Sequence, residues 1–304
     1  AWLTDLFREI CDGWGYDYVK IDFLFGAAIA GARCDASAPR VRAYREALAA
    51  VRRGVGERRF ILGCGSLMAP SVGFFDGNRI GPDVGPFWRN LTTAERSEPQ
   101  PRFRRTDDDL SAETAIRNTL TRSWMHGRLW ANDPDCVLVR GDRTKLTLDE
   151  IRSLASAIGL SGGMVLSSDD LDKVDAGRIE ILSMLLPPLP RSAVPVDLME
   201  RDMPERFEIA FDRDFDPVRV VGLFNFDDAA KDIVLPLPEG AWHAYELWSE
   251  RYVGVIEREL TMTLVEPHGC RVIALRPVGD APALVGSTAH IGAGVLDITN
   301  CHWE

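Results

Sequence analysis

The stretch "DYVKIDF" (residues 17–23) sets a lysine and an aspartate two positions apart, Lys20 and Asp22, in a run that otherwise reads as a β-strand. Strand alternation puts Tyr18, Lys20 and Asp22 on one face and Val19, Ile21 and Phe23 on the other. If helices cover the apolar face, the ionisable face points into a core. Burying either charge alone costs several kcal/mol. Two readings are open: a structural ion pair, or a lysine that orients a ligand beside an aspartate kept ionised for chemistry.

A second strand end has the same character. In "NRIGPDV", Arg79 and Asp83 are four apart, and Gly81 and Pro82 suggest a bent terminus that re-aims Asp83. Two carboxyl groups in unlike environments are what cleavage of a glycosidic bond needs. Asp22, beside a lysine, suits the nucleophile, and a more enclosed Asp83 suits the proton donor. The structural alternative is an Arg79–Asp83 salt bridge on a surface turn. Between the two, "ILGCGSL" holds Cys64 between Gly63 and Gly65, where a ligand can approach the backbone closely. A lone thiol there is equally a small core filler.

The elements that would position these groups alternate. Helical periods at 3–13, 39–54, 111–127, 147–163 and 174–186 separate strands at 16–23, 58–65, 77–83, 128–135 and 164–170. A proline opens the second helix and a glycine closes it, Ser111 starts a Ser-x-x-Thr opening, and Thr147 with Glu150 spells a capping box. Repeated βα units imply a parallel sheet covered by helices. "FLFGAAIAGA" is a poor phosphate loop, which argues against a doubly wound dinucleotide fold. Active sites of barrels lie at the carboxyl ends of strands, where Asp22 and Asp83 fall, so the expectation is part of a (β/α)8 barrel over 1–190. The prolines of "LLPPLP" read as a linker. Beyond it, "FEIAFD", "VRVVGLFNF", "KDIVLPLP" and "WHAYELWS" alternate between turns, an all-β domain over 191–304 of sandwich type.

The opening "AWLTDLFREI" starts inside a helix and the close "LDITNCHWE" reads like the middle of a strand region, so a fragment truncated at both ends is expected. A five-stranded piece of a barrel leaves an unpaired parallel edge, and such a chain alone is expected to be insoluble or inactive. Net charge is −11, which disfavours nucleic acid and anionic membranes as partners. No apolar run reaches the length of a membrane span. Six cysteines without CxxC spacing read as free thiols in a reducing, cytoplasmic compartment. None of the five histidines sits at an expected strand end, which argues against Ser-His-Asp and histidine–zinc mechanisms.

Other polar clusters have plainer readings. In "WANDPDC", Trp130 packs, and Asp133 and Asp135 shape a loop around Pro134. "SSDD" (167–170) is a polar rim or helix cap, "TDDD" (106–109) a solvated run, and Trp88 either core or the lining of an outer subsite.

Taken in order, "WGYDYVKIDF", "ILGCGSLMAPSVGFFDGNRIGPDVGPFW", "RLWANDPDCVLVR" and "LSGGMVLSSDDL" resemble the bacterial α-galactosidase (melibiase) group, glycoside hydrolase family 36 of clan D. The resemblance runs from about Trp14 to Leu171 and is weaker in the β domain. It implies that Asp22 is the nucleophile of a retaining double displacement and Asp83 the acid/base. Lys20 binds hydroxyls on C3 or C4, Cys64 and Gly65 lie near the sugar 2-position, and Arg79 accompanies the acid/base strand. The first strand here is then barrel strand four, giving strands four to eight, with an N-terminal β-sandwich domain and strands one to three absent. The implied ligand is a small or oligosaccharide α-galactoside, with no metal or organic cofactor. Many relatives carry two aspartates at the acid/base strand, whereas this chain has only Asp83, which leaves the substrate within the clan open.

Alternatives are a galactosyl-transferring relative, an enzyme for another α-pyranoside, or a metal-dependent barrel enzyme using Asp22, Asp133 and Asp170. Lys20 among those carboxylates counts against the last. A homo-oligomer is compatible with the sequence.

Overall fold

The computed structural model of the protein describes residues 1–33, 35–89, 110–213 and 217–301. Cys34 and the "TDDD" run lie outside the described residues. The chain divides into two compact units, Ala1–Ile80 with Met125–Asp133, and Gly81–Trp124 with Pro134–Glu304.

The first unit opens with helix α1 (Trp2–Arg8) and a π-helical turn (Glu9–Gly13), where the sequence suggests one continuous helix. Strand β1 (Tyr18–Ile21), helix α2 (Arg40–Val55), strand β2 (Phe60–Gly63), the short helix α3 (Met68–Ser71), and strands β3 (Gly77–Arg79) and β4 (Ala131–Asp133) follow. The strands form one parallel sheet in the order β1-β2-β3-β4. Each strand neighbours the next in sequence, the order of a singly wound sheet rather than a doubly wound one.

Alternation works as expected on one face of β1. Val19 and Ile21 pack against a core built from Phe7, Tyr44, Leu48, Val51 and Ile61. Phe23 does not join them: it lies beyond the strand in a left-handed conformation (φ 53°) and is 73% exposed. The glycine ending α2 also has another role. The helix continues to Val55 and is stopped by Gly56 at φ 82°. Gly54 instead marks the closest approach to α1, where a Cβ would stand 2.5 Å from the Thr4 carbonyl oxygen and 2.8 Å from the Phe7 Cβ. Arg52 ties the end of α2 to the strands by donating to Phe74 O and, at 2.6 Å, to Asp76, whose same oxygen accepts from Ile61 N–H.

The second unit contains α4 (Ala112–Thr121), β5 (Cys136–Val137), α5 (Leu148–Leu160), β6 (Leu166–Ser167) and α6 (Ala176–Ser183). Strands β5 and β6 form a separate parallel pair. The caps read from sequence are present: Ser111 accepts from Thr114 N–H, and Thr147 and Glu150 form a reciprocal capping box. Glu150 also reaches His268 at 2.7 Å through its other oxygen, and His268 meets Asp228 at 2.9 Å while stacking on Trp88. The "SSDD" segment does not cap α6, because Asp175 does so by accepting from Arg178 N–H. Asp169 instead accepts from Val139 and Arg140 N–H.

The antiparallel part has strands β7 (Val194–Pro195), β8 (Arg206–Phe211), β9 (Val218–Phe224), β10 (Lys231–Glu246), β11 (Arg251–Val265) and β12 (Cys270–Pro277). They make a single sheet in the order β11-β10-β12-β9-β8-β7. Two runs that read as separate strands, "KDIVLPLP" and "WHAYELWS", are one long strand with a register break between Pro236 and Ala241. Only its second half pairs with β12. The outer half of the β10–β11 hairpin supplies Ile233, Leu235, Leu260 and Met262 to a cluster with Val221, Leu223, Ile273 and Leu275. The expected sandwich thus takes the form of one sheet with its long hairpin folded over one face. The opposite face of β9 and β12, with Val218, Val220, Phe224, Val272 and Ala274, packs on α5 through Leu154, Ala157, Ile158 and Leu160. Parallel pairs occupy the described chain up to Ser167 and antiparallel ones begin at Val194. Among the described residues no helix is long and apolar enough to cross a membrane.

Candidate active site

Strand β1 is an edge strand of its parallel sheet, and this decides the surroundings of Lys20 and Asp22. Lys20 lies in register with Leu62, and Asp22 follows the last strand residue at the carboxyl end. Both are exposed, so the expected burial of this pair is not what the structure has. Helices cover only the Val19–Ile21 side, and Tyr18, Lys20 and Asp22 face open space among the described residues. Tyr18 stacks on Phe60 with ring centroids 5.2 Å apart.

Asp22 is nonetheless closely held. The Phe23 N–H donates to its Oδ1 at 2.6 Å. Partial burial pushes its carboxyl up, but the Phe23 N–H, the Cys64 thiol and the positive charges of Lys20 and Arg79 together outweigh that and hold it below the ordinary carboxylate value. Hydrogen bonds contribute more here than Lys20, the residue whose spacing suggested an ionised aspartate.

Cys64 is buried at the end of β2. Desolvation and its hydrogen bond to Asp22 push the thiol up to about 11, so it stays protonated and is the donor of that contact. Gly65 has φ 56°, and a Cβ there would stand 3.2 Å from Phe23 N and 3.4 Å from Asp22 Oδ1. Its carbonyl accepts from Phe25 N–H at 2.7 Å, which stitches the loop after β1 to the loop after β2. A side chain at position 65 would be strained by its own backbone and would crowd the backbone beside Asp22.

Arg79 is 5% exposed at the end of β3, directly across from Asp133 in the β3–β4 register. Its Nε donates to Asp133 Oδ2 at 3.0 Å, and Asp133 has no exposed surface. The turn-local pairing suggested by the four-residue spacing is therefore not the only engagement of Arg79, since a partner 54 residues away holds it in the sheet. Asp83 belongs to the second unit, is exposed, and precedes Val84, whose N–H donates to Asp135 at 2.6 Å. The enclosure anticipated for Asp83 is absent among the described residues. Asp22 and Asp83 fall in different compact units.

Sequence reasoning passed over two buried polar groups. It treated Asp133 as a loop-shaping residue, and it did not single out Asn78. Asn78 is fully buried, its Oδ1 accepts from Ser66 Oγ–H at 2.7 Å, and its Nδ2 finds no hydrogen-bond partner among the described residues. The only sequence signal for either is a polar residue inside a short strand. Trp130 is buried, in line with packing. Trp88 is buried too, against His268 and Phe226 in its own unit, so it belongs to core and not to an outer subsite. Among the described residues no group of three His, Cys, Asp or Glu side chains is arranged to hold a metal ion. Asp133 faces Arg79 and Asp170 faces Lys173, which removes two members of the proposed carboxylate cluster. The five described cysteines are free thiols.

No family model matches the chain. Solved structures do. An α-galactosidase from Thermus thermophilus, solved in complex with stachyose, is 33% identical over 62% of this chain, with a TM-score of 0.50. The match spans 38% of that enzyme's length. An α-galactosidase from Saccharomyces cerevisiae is 13% identical over 89% of this chain and 74% of its own, with a TM-score of 0.64. A GH27 β-L-arabinopyranosidase from Geobacillus stearothermophilus is 15% identical over 92% of this chain and 62% of its own, with a TM-score of 0.59. The last two likenesses speak to fold. The chain thus has an α-galactosidase-type fold, and the similarity does not single out family 36 within that type.

Proposed function

We propose that this chain is part of a retaining glycoside hydrolase that removes terminal α-linked galactose, of the family 36 kind. In this reading the parallel strands, with β4 and β5 counted as one interrupted strand, are strands four to eight of a (β/α)8 barrel, continued by the β domain from residue 191. Asp22 attacks the anomeric carbon and Asp83 protonates the departing oxygen. Asp83 then takes a proton from the water that releases the sugar. Lys20 orients sugar hydroxyls, Cys64 and Gly65 border the 2-position, and Arg79 stands at the carboxyl end of the acid/base strand.

One observation carries the reading most directly. Asp22 stands at the carboxyl end of a parallel strand, where the Phe23 N–H donates to it and the Phe23 N–H, the Cys64 thiol and Lys20 favour its charged form. A carboxylate kept charged at the carboxyl end of a barrel strand is what a nucleophile needs. The 33% identity with the Thermus enzyme supports the substrate class, and the sequential strand order supports the barrel. Hydrolysis by these residues calls on no metal or organic cofactor. A cytoplasmic location and self-association belong to the same proposal, the former supported by the free thiols.

The test is covalent trapping in the full-length protein. A 2-deoxy-2,2-difluoro α-galactoside with a good leaving group should leave a hexose-sized adduct on the peptide containing Asp22. An enzyme that cleaves ordinary activated α-galactosides but gives no adduct at Asp22 would refute the assignment. Cleavage of another pyranoside alone would move the substrate within the clan.

A further inference from the structure

Asp135 is a buried carboxylate that the proposed chemistry leaves without a task. It is 6% exposed and stands immediately before β5. Its backbone is left-handed (φ 75°), a conformation that aspartate and asparagine tolerate better than most side chains. Its Oδ2 accepts from Val84 N–H at 2.6 Å. Val84 directly follows Asp83, and its own side chain packs against the core of the second unit. The residues after it are anchored in turn: Pro86 O accepts from Lys145 N–H at 2.8 Å, and Phe87 O from Ala112 N–H at 3.0 Å.

The amide that donates to Asp135 belongs to the peptide plane joining Asp83 to Val84, so this bond fixes that plane. On the other side of Asp83 the ring of Pro82 restricts the backbone. An exposed side chain is thus carried on a main chain held from both directions. We propose that Asp135 is a positioning residue for Asp83: by accepting from Val84 N–H it fixes the peptide after Asp83 and aims the carboxyl group that hands a proton to the leaving oxygen. This rests on Asp83 being the acid/base. A general acid must come within hydrogen-bond reach of that oxygen, and a small misplacement of it costs much rate. A carboxylate that only closed a turn would act on stability alone, whereas a positioning residue acts on proton transfer.

Two substrates separate these roles in the full-length protein. The aglycone of methyl α-galactoside is a poor leaving group and needs the proton, while that of 2,4-dinitrophenyl α-galactoside departs without one. Asp135→Gly removes the acceptor and suits the left-handed backbone. In this variant kcat/KM on the methyl glycoside should fall by about tenfold to a hundredfold, part of the roughly 100- to 10,000-fold that a positioned general acid contributes. On the dinitrophenyl glycoside the fall should stay within about threefold. Asp135→Asn, whose amide oxygen can still accept from Val84 N–H, should recover most of the loss. Equal losses on both substrates, or none on either, overturn the proposal, because a general loosening does not discriminate between leaving groups. Should Asp135→Gly fail to fold, Asp135→Asn carries the comparison. Its neutral acceptor holds the amide less firmly, so a selective loss of about twofold to fivefold remains, and its absence overturns the proposal. Asp83→Ala, measured alongside, keeps two failures apart. If it shows no leaving-group dependence, Asp83 is not the proton donor and the functional reading fails, taking this role with it. If it shows that dependence and Asp135→Gly does not, the positioning role alone is overturned. Hydrogen exchange at the Val84 amide needs no substrate: it should quicken in Asp135→Gly, and an unchanged rate also overturns the proposal.

Discussion

At the end of β1 a lysine and an aspartate stand in the open, while at the ends of β3 and β4 an arginine and an aspartate are sealed from water. Both pairs sit on one parallel sheet and use the same chemistry of charge. They differ in what covers them. Among the described residues Asp22 is exposed, whereas Arg79 and Asp133 face each other across two neighbouring strands with almost no exposed surface. An exposed pair adds at most about 1 kcal/mol to stability, whereas breaking a buried one costs about 3–5 kcal/mol. Removing the exposed carboxylate should therefore cost little stability, whereas the sealed pair holds the ends of β3 and β4 together.

The largest effect should come from Asp22→Asn. In the full-length protein, turnover of an activated α-galactoside should fall by more than about 1,000-fold, as when a nucleophile is removed. The melting temperature should stay near wild type, because an exposed carboxylate is lost. A large drop in melting temperature would put Asp22 in the frame with Asp133.

Asp133→Asn should do the reverse, lowering unfolding free energy in denaturant titration by about 3–5 kcal/mol by breaking a buried ion pair with Arg79. The double change Arg79→Met with Asp133→Leu should recover most of that loss. If the recovered protein is still inactive, Arg79 serves substrate as well as the frame, and the contrast between the two pairs narrows.

Gly65→Ala is intermediate. A left-handed alanine costs about 1–2 kcal/mol, and its Cβ presses on the Phe23 backbone that holds Asp22. Melting temperature and turnover should both fall, the latter disproportionately.

The smallest effect concerns a sealed group in the other unit. His290 is buried, donating from Nε2 to Pro187 O and accepting at Nδ1 from Gly292 N–H. Burial lowers its pKa below 6.5, against the opposing pull of the Pro187 carbonyl. A histidine depressed in the folded state contributes stability that is present above about pH 6.5 and is lost as pH falls toward its folded value. The melting temperature should therefore fall on acidification below about pH 6.5, and His290→Gln should flatten that limb.

Much of this arrangement was legible in the sequence, and the rest was hidden for physical reasons. Alternation correctly put Val19 and Ile21 against helices, and capping signals at Ser111 and Thr147–Glu150 are present. The exposure of Lys20 and Asp22 among the described residues could not be read from strand alternation, which separates two faces without saying what covers either. Arg79 finds Asp133 through strand register, and the four-residue spacing to Asp83 gives no hint of a partner so distant. Gly54 looked like a helix stop because glycine serves both as a stop and as a notch for a neighbouring helix. Two apolar runs in β10 looked like two strands since a register break and a turn share the same prolines and glycines. Lys20, Cys64, Gly65 and Arg79 were singled out from motifs, whereas the main-chain bonds that join the loops after β1 and β2 follow no linear pattern.

One side chain in the second unit holds two structures at once. Glu150 closes the first turn of α5 with one carboxylate oxygen and grips His268 with the other. First turns of helices usually fray and exchange their amide hydrogens readily. Here fraying of α5 requires the turn before β12 to let go as well, since Ser153 also donates to His268 O at 2.6 Å. The two segments, more than a hundred residues apart in sequence, should open to solvent together as one cooperative unit, with amides of both exchanging at a common rate.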